Sequence, residues 1–209
     1  IPLSARAVLT VDLAALRANW ARLNEVSGRA ECAGVLKADA YGLGLAPIAR
    51  ALTNEGCKTF FVATLDEGRA AREVQPGATI YVLDGLLPGA EAHYAGFDLR
   101  PVLSSIAEVR EWAAYSRTRG RRLAAAIHVD TGMHRLGIPE SEVHRLAAEP
   151  DLLASIDTTL IMSHLACSDE PRNPMSRQQR ERFNYLRSLL PAAPASLSNS
   201  GGTFLGSAF

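Results

Sequence analysis

Two lysines, Lys37 and Lys58, stand against twenty arginines in this 209-residue chain, and Lys37 sits where a chemically active amine belongs. It closes the apolar run Ala33-Gly34-Val35-Leu36 and opens Ala38-Asp39-Ala40-Tyr41-Gly42-Leu43-Gly44. A chain that meets almost every need for a surface cation with arginine has kept lysine at a strand end. Arginine cannot replace it in imine chemistry, because the guanidinium stays protonated and is no usable nucleophile. An amine partly withdrawn from water favours the neutral form, which attacks a carbonyl and later exchanges a proton. Tyr41, four residues on, can bring a hydroxyl to an anionic group, and Gly42 and Gly44 allow close backbone approach or unusual dihedrals. Residue type alone favours a solvated lysine capping a strand; the surrounding motif reverses that preference.

Three other polar groups follow apolar runs: Asp130 through Arg135, His164, and Asn199-Ser200. Read singly, each has a plain structural explanation. His164 fits a satisfied core histidine, Arg135 a surface cation or helix-cap partner, and Ser200 a helix N-cap in good turn chemistry, Asn-Ser-Gly-Gly. A cap role coexists with a ligand role, since a helix N-terminus suits a phosphate. His93, His134 and His144 have no such company and read as structural or exposed. Asp169-Glu170 reads as a solvated pair in a loop.

The elements that must hold these residues alternate along the whole chain. Strand-like runs fall near residues 7–11, 31–37, 59–64, 79–83, 99–103, 123–129, 158–164 and 195–199. Amphipathic stretches lie between them. Asp12 caps one carrying Leu13, Leu16, Trp20 and Leu23; Ser104 and Glu108 open a second; Pro139 and Glu140 a third; residues 175–190 form a fourth. Strand then helix, repeated, is the form of βαβ units and a parallel sheet. A doubly wound sheet would show a glycine-rich phosphate loop after an early strand, and the sequence has none. A (β/α)8 barrel of the TIM type places reactive residues at several strand ends, which is the pattern here. The fold class expected is therefore α/β, a (β/α)8 barrel. It is incomplete, because only seven barrel-like strands follow the first short run and a missing strand would leave two open edges.

Composition removes several functions. A net charge of zero with no basic block leaves nucleic acid without an electrostatic footprint. No run nears the roughly 20 apolar residues of a membrane span. Cys32, Cys57 and Cys167 are scattered and odd in number, as expected of reduced thiols and not of a zinc site or disulfide framework. No metal is expected. The N-terminus lacks an export signal, so a cytoplasmic location is expected.

The segment from Val35 to Gly44 resembles the pyridoxal-phosphate lysine motif of alanine racemases. Three further segments agree in order and spacing: residues 129–137 (Val-Asp-Thr-Gly-Met-His-Arg-Leu-Gly), 163–169 (Ser-His-Leu-Ala-Cys-Ser-Asp) and 198–202 (Ser-Asn-Ser-Gly-Gly). The opening, residues 11–19, is also similar to that family's start. The resemblance implies a pyridoxal 5'-phosphate enzyme that interconverts L- and D-alanine and supplies D-alanine for peptidoglycan. Lys37 would hold the cofactor as a Schiff base and serve as the base on one face of the α-carbon. Tyr41 and Ser200 would bind its phosphate, with backbone amides near Asn199 and Gly201. Arg135 would donate to its phenolic oxygen, His164 would lie beside its ring, and Val35 and Leu83 would pack against it.

The same resemblance implies that residues 1–12 form a strand pairing with a C-terminal β-rich domain, and that residues 13–209 form the barrel without its last strand. A homodimer would complete the site, its partner subunit supplying a tyrosine for the opposite face. Tyr41, Tyr81, Tyr94, Tyr115 and Tyr185 all fall at the wrong motif positions for that base, so the segment alone is expected to be inactive. One departure stands out: many relatives carry a carbamate-modified lysine where this chain has His128. A hydrogen bond from His128, a chloride or a water would then have to orient Arg135. Two alternatives stay open, a broader-specificity or serine racemase and a single-barrel cofactor-homeostasis protein without turnover.

Overall fold

The computed structural model describes residues 6–209. Seven strands pair in chain order, all parallel: β1 Gly34–Val35, β2 Thr59–Val62, β3 Thr79–Val82, β4 Arg100–Leu103, β5 Ala124–His128, β6 Asp157–Met162 and β7 Ala195–Ser196. Helix α1, Leu13–Ser27, precedes the sheet. The crossovers carry α2 Lys37–Tyr41, α3 Leu45–Asn54, α4 Leu65–Val74, α5 Glu91–Gly96, α6 Ile106–Thr118, α7 Glu140–Ala147, α8 Pro150–Ala154 and α9 Met175–Ser188; α10, Ser200–Thr203, follows β7.

Side chains of alternate residues leave a strand on opposite faces, and the two faces here bury different cores. Phe60, Val62, Ile80, Val82, Ile127 and Ile161 join the helices in the larger cluster, around Trp112 and Leu186. Phe61, Tyr81, Val102, Ala126, Leu160 and Met162 fill the inner face. The sheet is curled around this second set. The Tyr81 hydroxyl on β3 meets the Thr159 hydroxyl on β6 at 3.0 Å, although three strand spacings would part them by about 14 Å in a flat sheet. Arg100 donates to the Tyr81 hydroxyl at 3.2 Å, and Phe61 stacks on the Tyr81 ring.

The seven barrel strands fall where the apolar runs predict them. Residues 7–12 pair with no strand among the described residues; the partner expected for them is a separate β-rich domain, not this sheet. Residues 1–5 of the predicted N-terminal segment lie outside the described residues. No eighth strand joins β7 to β1 among the described residues, and both keep an open edge. Asp12 caps α1 as expected, accepting from the N–H groups of Ala14 and Ala15. The α6 cap is Ser105, not Ser104, because Glu108 sits three residues past Ser105 and closes a capping box with it. All three cysteines are free thiols, and burial pushes Cys57 up to about 11. No helix among the described residues is long and apolar enough to cross a membrane.

At the opposite end of the barrel from the site residues, Arg72 of α4 ties three elements together. Its guanidinium donates to the carbonyls of Pro76 (2.8 Å), Ala78 (2.7 Å), Phe97 (2.9 Å) and Asp98 (2.6 Å). Arg72→Met keeps the stem but orphans these carbonyls. We expect it to lower unfolding free energy by about 2–4 kcal/mol, read as a reduced urea midpoint at unchanged slope.

Candidate functional site

Every predicted site residue lies at or just past the C-terminal end of a strand, so one rim of the barrel collects them. Leu36 extends the β1 pairing by one residue, its N–H donating to the Phe61 carbonyl at 2.8 Å. Lys37 is not the strand's last residue, as the apolar run suggested; it begins a left-handed turn. Ala38, Asp39, Ala40 and Tyr41 take φ values of 53°, 52°, 53° and 57°. Left-handed backbone costs L-residues roughly 1–2 kcal/mol each, about 4–8 kcal/mol for four.

Local bonds offset that strain. Ala40 N–H reaches the Leu36 carbonyl and Gly42 N–H the Ala38 carbonyl, both at 2.8 Å. Asp39 Oδ1 accepts from Leu45 N–H at 2.6 Å at the head of α3, and the Ala40 methyl is buried. Glu67 accepts from Ala38 N–H at 2.6 Å. Gly42 and Gly44 take positive φ, as their type predicts. Lys37 is left half-buried, with Nζ 5.9 Å from the centre of the Tyr41 ring, while Tyr41 itself is 63% exposed.

Across the rim lies a cavity of about 370 Å³, lined by Met133, His164, Ser168, Asn199, Ser200 and Gly201 among others. Asn199 builds its floor. Its side-chain oxygen accepts from Ser168 Oγ at 2.7 Å and from Gly202 N–H at 2.9 Å. The N–H groups of Ser200 and Gly201 find no acceptor among the described residues, so they and the exposed Ser200 stand ready for an oxyanion. A side chain at Gly201 would press within 3.1 Å of the Ser168 carbonyl oxygen.

His164 links this cavity to the lysine. Burial lowers its pKa, and the charges of Arg135 and then Lys37 lower it further. His128, on β5, is buried and depressed to about 4, first by burial and then by His164. Its Nδ1 faces Ser104 Oγ at 3.4 Å, and among the described residues no hydrogen bond joins it to Arg135, which is exposed. Asp130 is held below the usual carboxylate range. Burial opposes its ionisation, but N–H groups of Gly132 (2.9 Å) and His134 (3.1 Å) and the His134 imidazole (2.7 Å) outweigh that.

His164, Asn199 and Ser200 thus share the cavity, while Lys37 and Arg135 lie on the same rim outside its lining. Val35 and Tyr41 stand exposed beside the open edge, and Leu83 is half-buried against the inner core. Sequence reasoning missed Ser168, Gln179 and Glu67. Gln179 is buried, donates to the His164 carbonyl (2.9 Å) and Thr131 Oγ1 (3.2 Å), and accepts from Ala166 N–H (2.9 Å). On a helix rich in polar residues nothing marks it out. Glu67 announces itself only as the last residue of a Thr64-x-x-Glu67 capping box.

Fold and rim define a (β/α)-barrel protein with its site on the C-terminal strand ends. The chain belongs to the alanine racemase family: the profile for "Alanine racemase, N-terminal domain" matches residues 11–209. It is 51% identical over 99% of its length to a catabolic alanine racemase of Mesorhizobium japonicum, and 50% identical over 96% to an alanine racemase of Methylobacterium nodulans. It spans about half of those relatives, 54% of each. Among solved structures, alanine racemase from Bartonella henselae with covalently bound pyridoxal phosphate superposes with a TM-score of 0.92, at 35% identity, over 95% of this chain and 58% of that one.

His128 makes the site's pH response testable. An unfolded chain protonates this ring near 6.5, the folded chain only near 4. Folding stability is therefore complete above the higher value and falls as pH drops through that window, by about 3 kcal/mol in all. Urea midpoints at about pH 7 and about pH 4.5 should differ less in His128→Asn than in the parent.

Proposed function

We propose that this chain is the cofactor-binding barrel of an enzyme that interconverts L- and D-alanine with pyridoxal 5'-phosphate. The observation that carries the reading is an anion-ready cavity on the same rim of strand ends as Lys37. Ser200 and Gly201 present unpaired N–H groups there, beside His164. The donor set fits the cofactor. The unpaired amides of Ser200 and Gly201 and the Ser200 hydroxyl suit a phosphate, and Lys37 supplies the amine for an aldehyde. Among the described residues, no cluster of histidine, cysteine and carboxylate groups suits a metal ion instead.

When bound, the cofactor supplies an electron sink for the pair left when the α-proton departs. Lys37 would take or return that proton at Nζ on one face of the α-carbon. Arg135 would donate to the cofactor's phenolic oxygen, and Tyr41 and Ser200 would hold its phosphate. Neutral His164 and His128 keep further positive charge out of the site. Val35 and Leu83 give the ring an apolar seat. The opposite face needs a second base. Tyr81 is engaged with Thr159 and Arg100, Tyr94 with the Gly85 carbonyl and Tyr185 with His144. We assign that base to a tyrosine of the partner subunit in a homodimer.

Supply of D-alanine for peptidoglycan is the first physiological use. The similarity to a catabolic racemase favours a second, the breakdown of D-alanine. The names of the relatives support a racemase over a cofactor-homeostasis protein.

Borohydride reduction followed by peptide mapping should place a pyridoxyl group on Lys37. Lys37→Arg in the intact protein should abolish the adduct and cut kcat by about a thousandfold or more. The 209-residue chain alone should show no turnover of alanine; turnover at the intact protein's rate would remove the need for a second base from outside it.

A further inference from the structure

The carboxylate of Glu67 does two jobs with its two oxygens. As the third residue of α4 it closes a capping box: its N–H donates to Thr64 Oγ1, and Oε2 accepts from Thr64 N–H, both at 3.3 Å. Oε2 also takes Ala63 N–H at 2.7 Å, gripping the end of β2. Oε1 points away from its own helix and accepts from Ala38 N–H at 2.6 Å, across to the preceding strand–helix unit. Ala38 is the residue after Lys37 and the first of the four left-handed residues. Its N–H belongs to the Lys37–Ala38 peptide and has no other acceptor among the described residues. Fixing that peptide fixes the direction in which Lys37 leaves the backbone. Releasing it would let Ala38 fall back to a negative φ, which an L-residue prefers.

The barrel contains the same device a second time. Glu108 closes a capping box with Ser105, and its Oε2 accepts from the N–H groups of Ser104 and Ser105. Its Oε1 crosses to Leu86 N–H at 3.4 Å in the loop after β3. That copy is longer at the crossing bond and touches neither Lys37 nor any residue assigned to hold the cofactor; its nearest link to the site is Ser104, whose hydroxyl faces His128. It separates the general value of the device from its use at the lysine.

We propose that Glu67 is a positioning residue for Lys37, holding the left-handed turn through the Ala38 N–H; this rests on the reading of Lys37 as the cofactor-bearing amine. The intact protein is compared with Glu67→Gln and Glu108→Gln. Glutamine keeps the size but puts an N–H group where one oxygen accepted. Three quantities are measured: urea unfolding, retention of pyridoxal 5'-phosphate by absorbance with borohydride trapping at Lys37, and kcat and KM for alanine.

Both variants should lose similar stability, since both lose a cap. Only Glu67→Gln should hold the cofactor about tenfold more weakly and lose kcat more than KM. Adding Ala38→Gly, which takes positive φ without strain, should return retention to within about threefold of the parent. If Glu67→Gln does not fold, Glu67→Gln with Ala38→Gly carries the comparison, and failure of that variant to retain cofactor overturns the proposal. Equal retention in Glu67→Gln and the parent, or an equal loss in Glu108→Gln, also overturns it. Absence of any Lys37 adduct in the parent overturns the reading of the lysine, and the proposal with it.

Discussion

Parallel pairing is the constraint on which the rest of this molecule depends. A parallel neighbour can be reached only by a crossover that returns the chain to the starting end, and each crossover here carries helix. Six such crossovers leave seven strand ends on one rim. Residues as far apart in sequence as Lys37 and Ser200 therefore hang from the same ring. Curling of the sheet around Phe61, Tyr81 and Met162 then turns a row of strand ends into a mouth. The chemistry borrows its geometry from the core beneath it.

The rim is where the backbone departs from regular conformations, and carboxylates manage the departures. Asp39, Glu67, Glu108 and Asp130 each accept from backbone N–H groups that no strand or helix satisfies. Such groups are costly to bury unpaired, and an ionised acceptor binds them more tightly than a neutral one. At Lys37 this support offsets several kilocalories of left-handed strain. The strain serves the site by fixing the exit of a lysine that a relaxed loop would leave free to wander. The family to which the chain belongs is thus expressed here through bonds that no catalytic motif names.

Charge is sparse inside the mouth. Burial lowers the pKa of both imidazoles, with Arg135 acting on each in the same direction and Lys37 on His164. The His128 ring faces the Ser104 hydroxyl. The arginine stands exposed, without a hydrogen bond to His128, and its orientation falls to whatever it binds.

Local sequence specified a great deal. Alternating apolar runs marked all seven barrel strands, and Asp12 and the pair Pro139-Glu140 marked helix starts, because these signals act through neighbours a few residues away. The run 7–11 finds no partner in this sheet, and strand propensity is expressed only where a partner strand is available. The four left-handed residues from Ala38 to Tyr41 carry no glycine and gave no warning, since their conformation is imposed by Asp39 and by Glu67 from another unit. The sequence by itself determined a repeated strand–helix order, a single lysine apt for imine chemistry and the residue types of an anion site. Tertiary structure alone decided which N–H groups stayed free at Ser200 and Gly201, that His128 turned to Ser104, and that Gln179 and Glu67 hold the site. Those outcomes depend on distances across the rim between residues remote in the chain, and only packing of the curled sheet sets them.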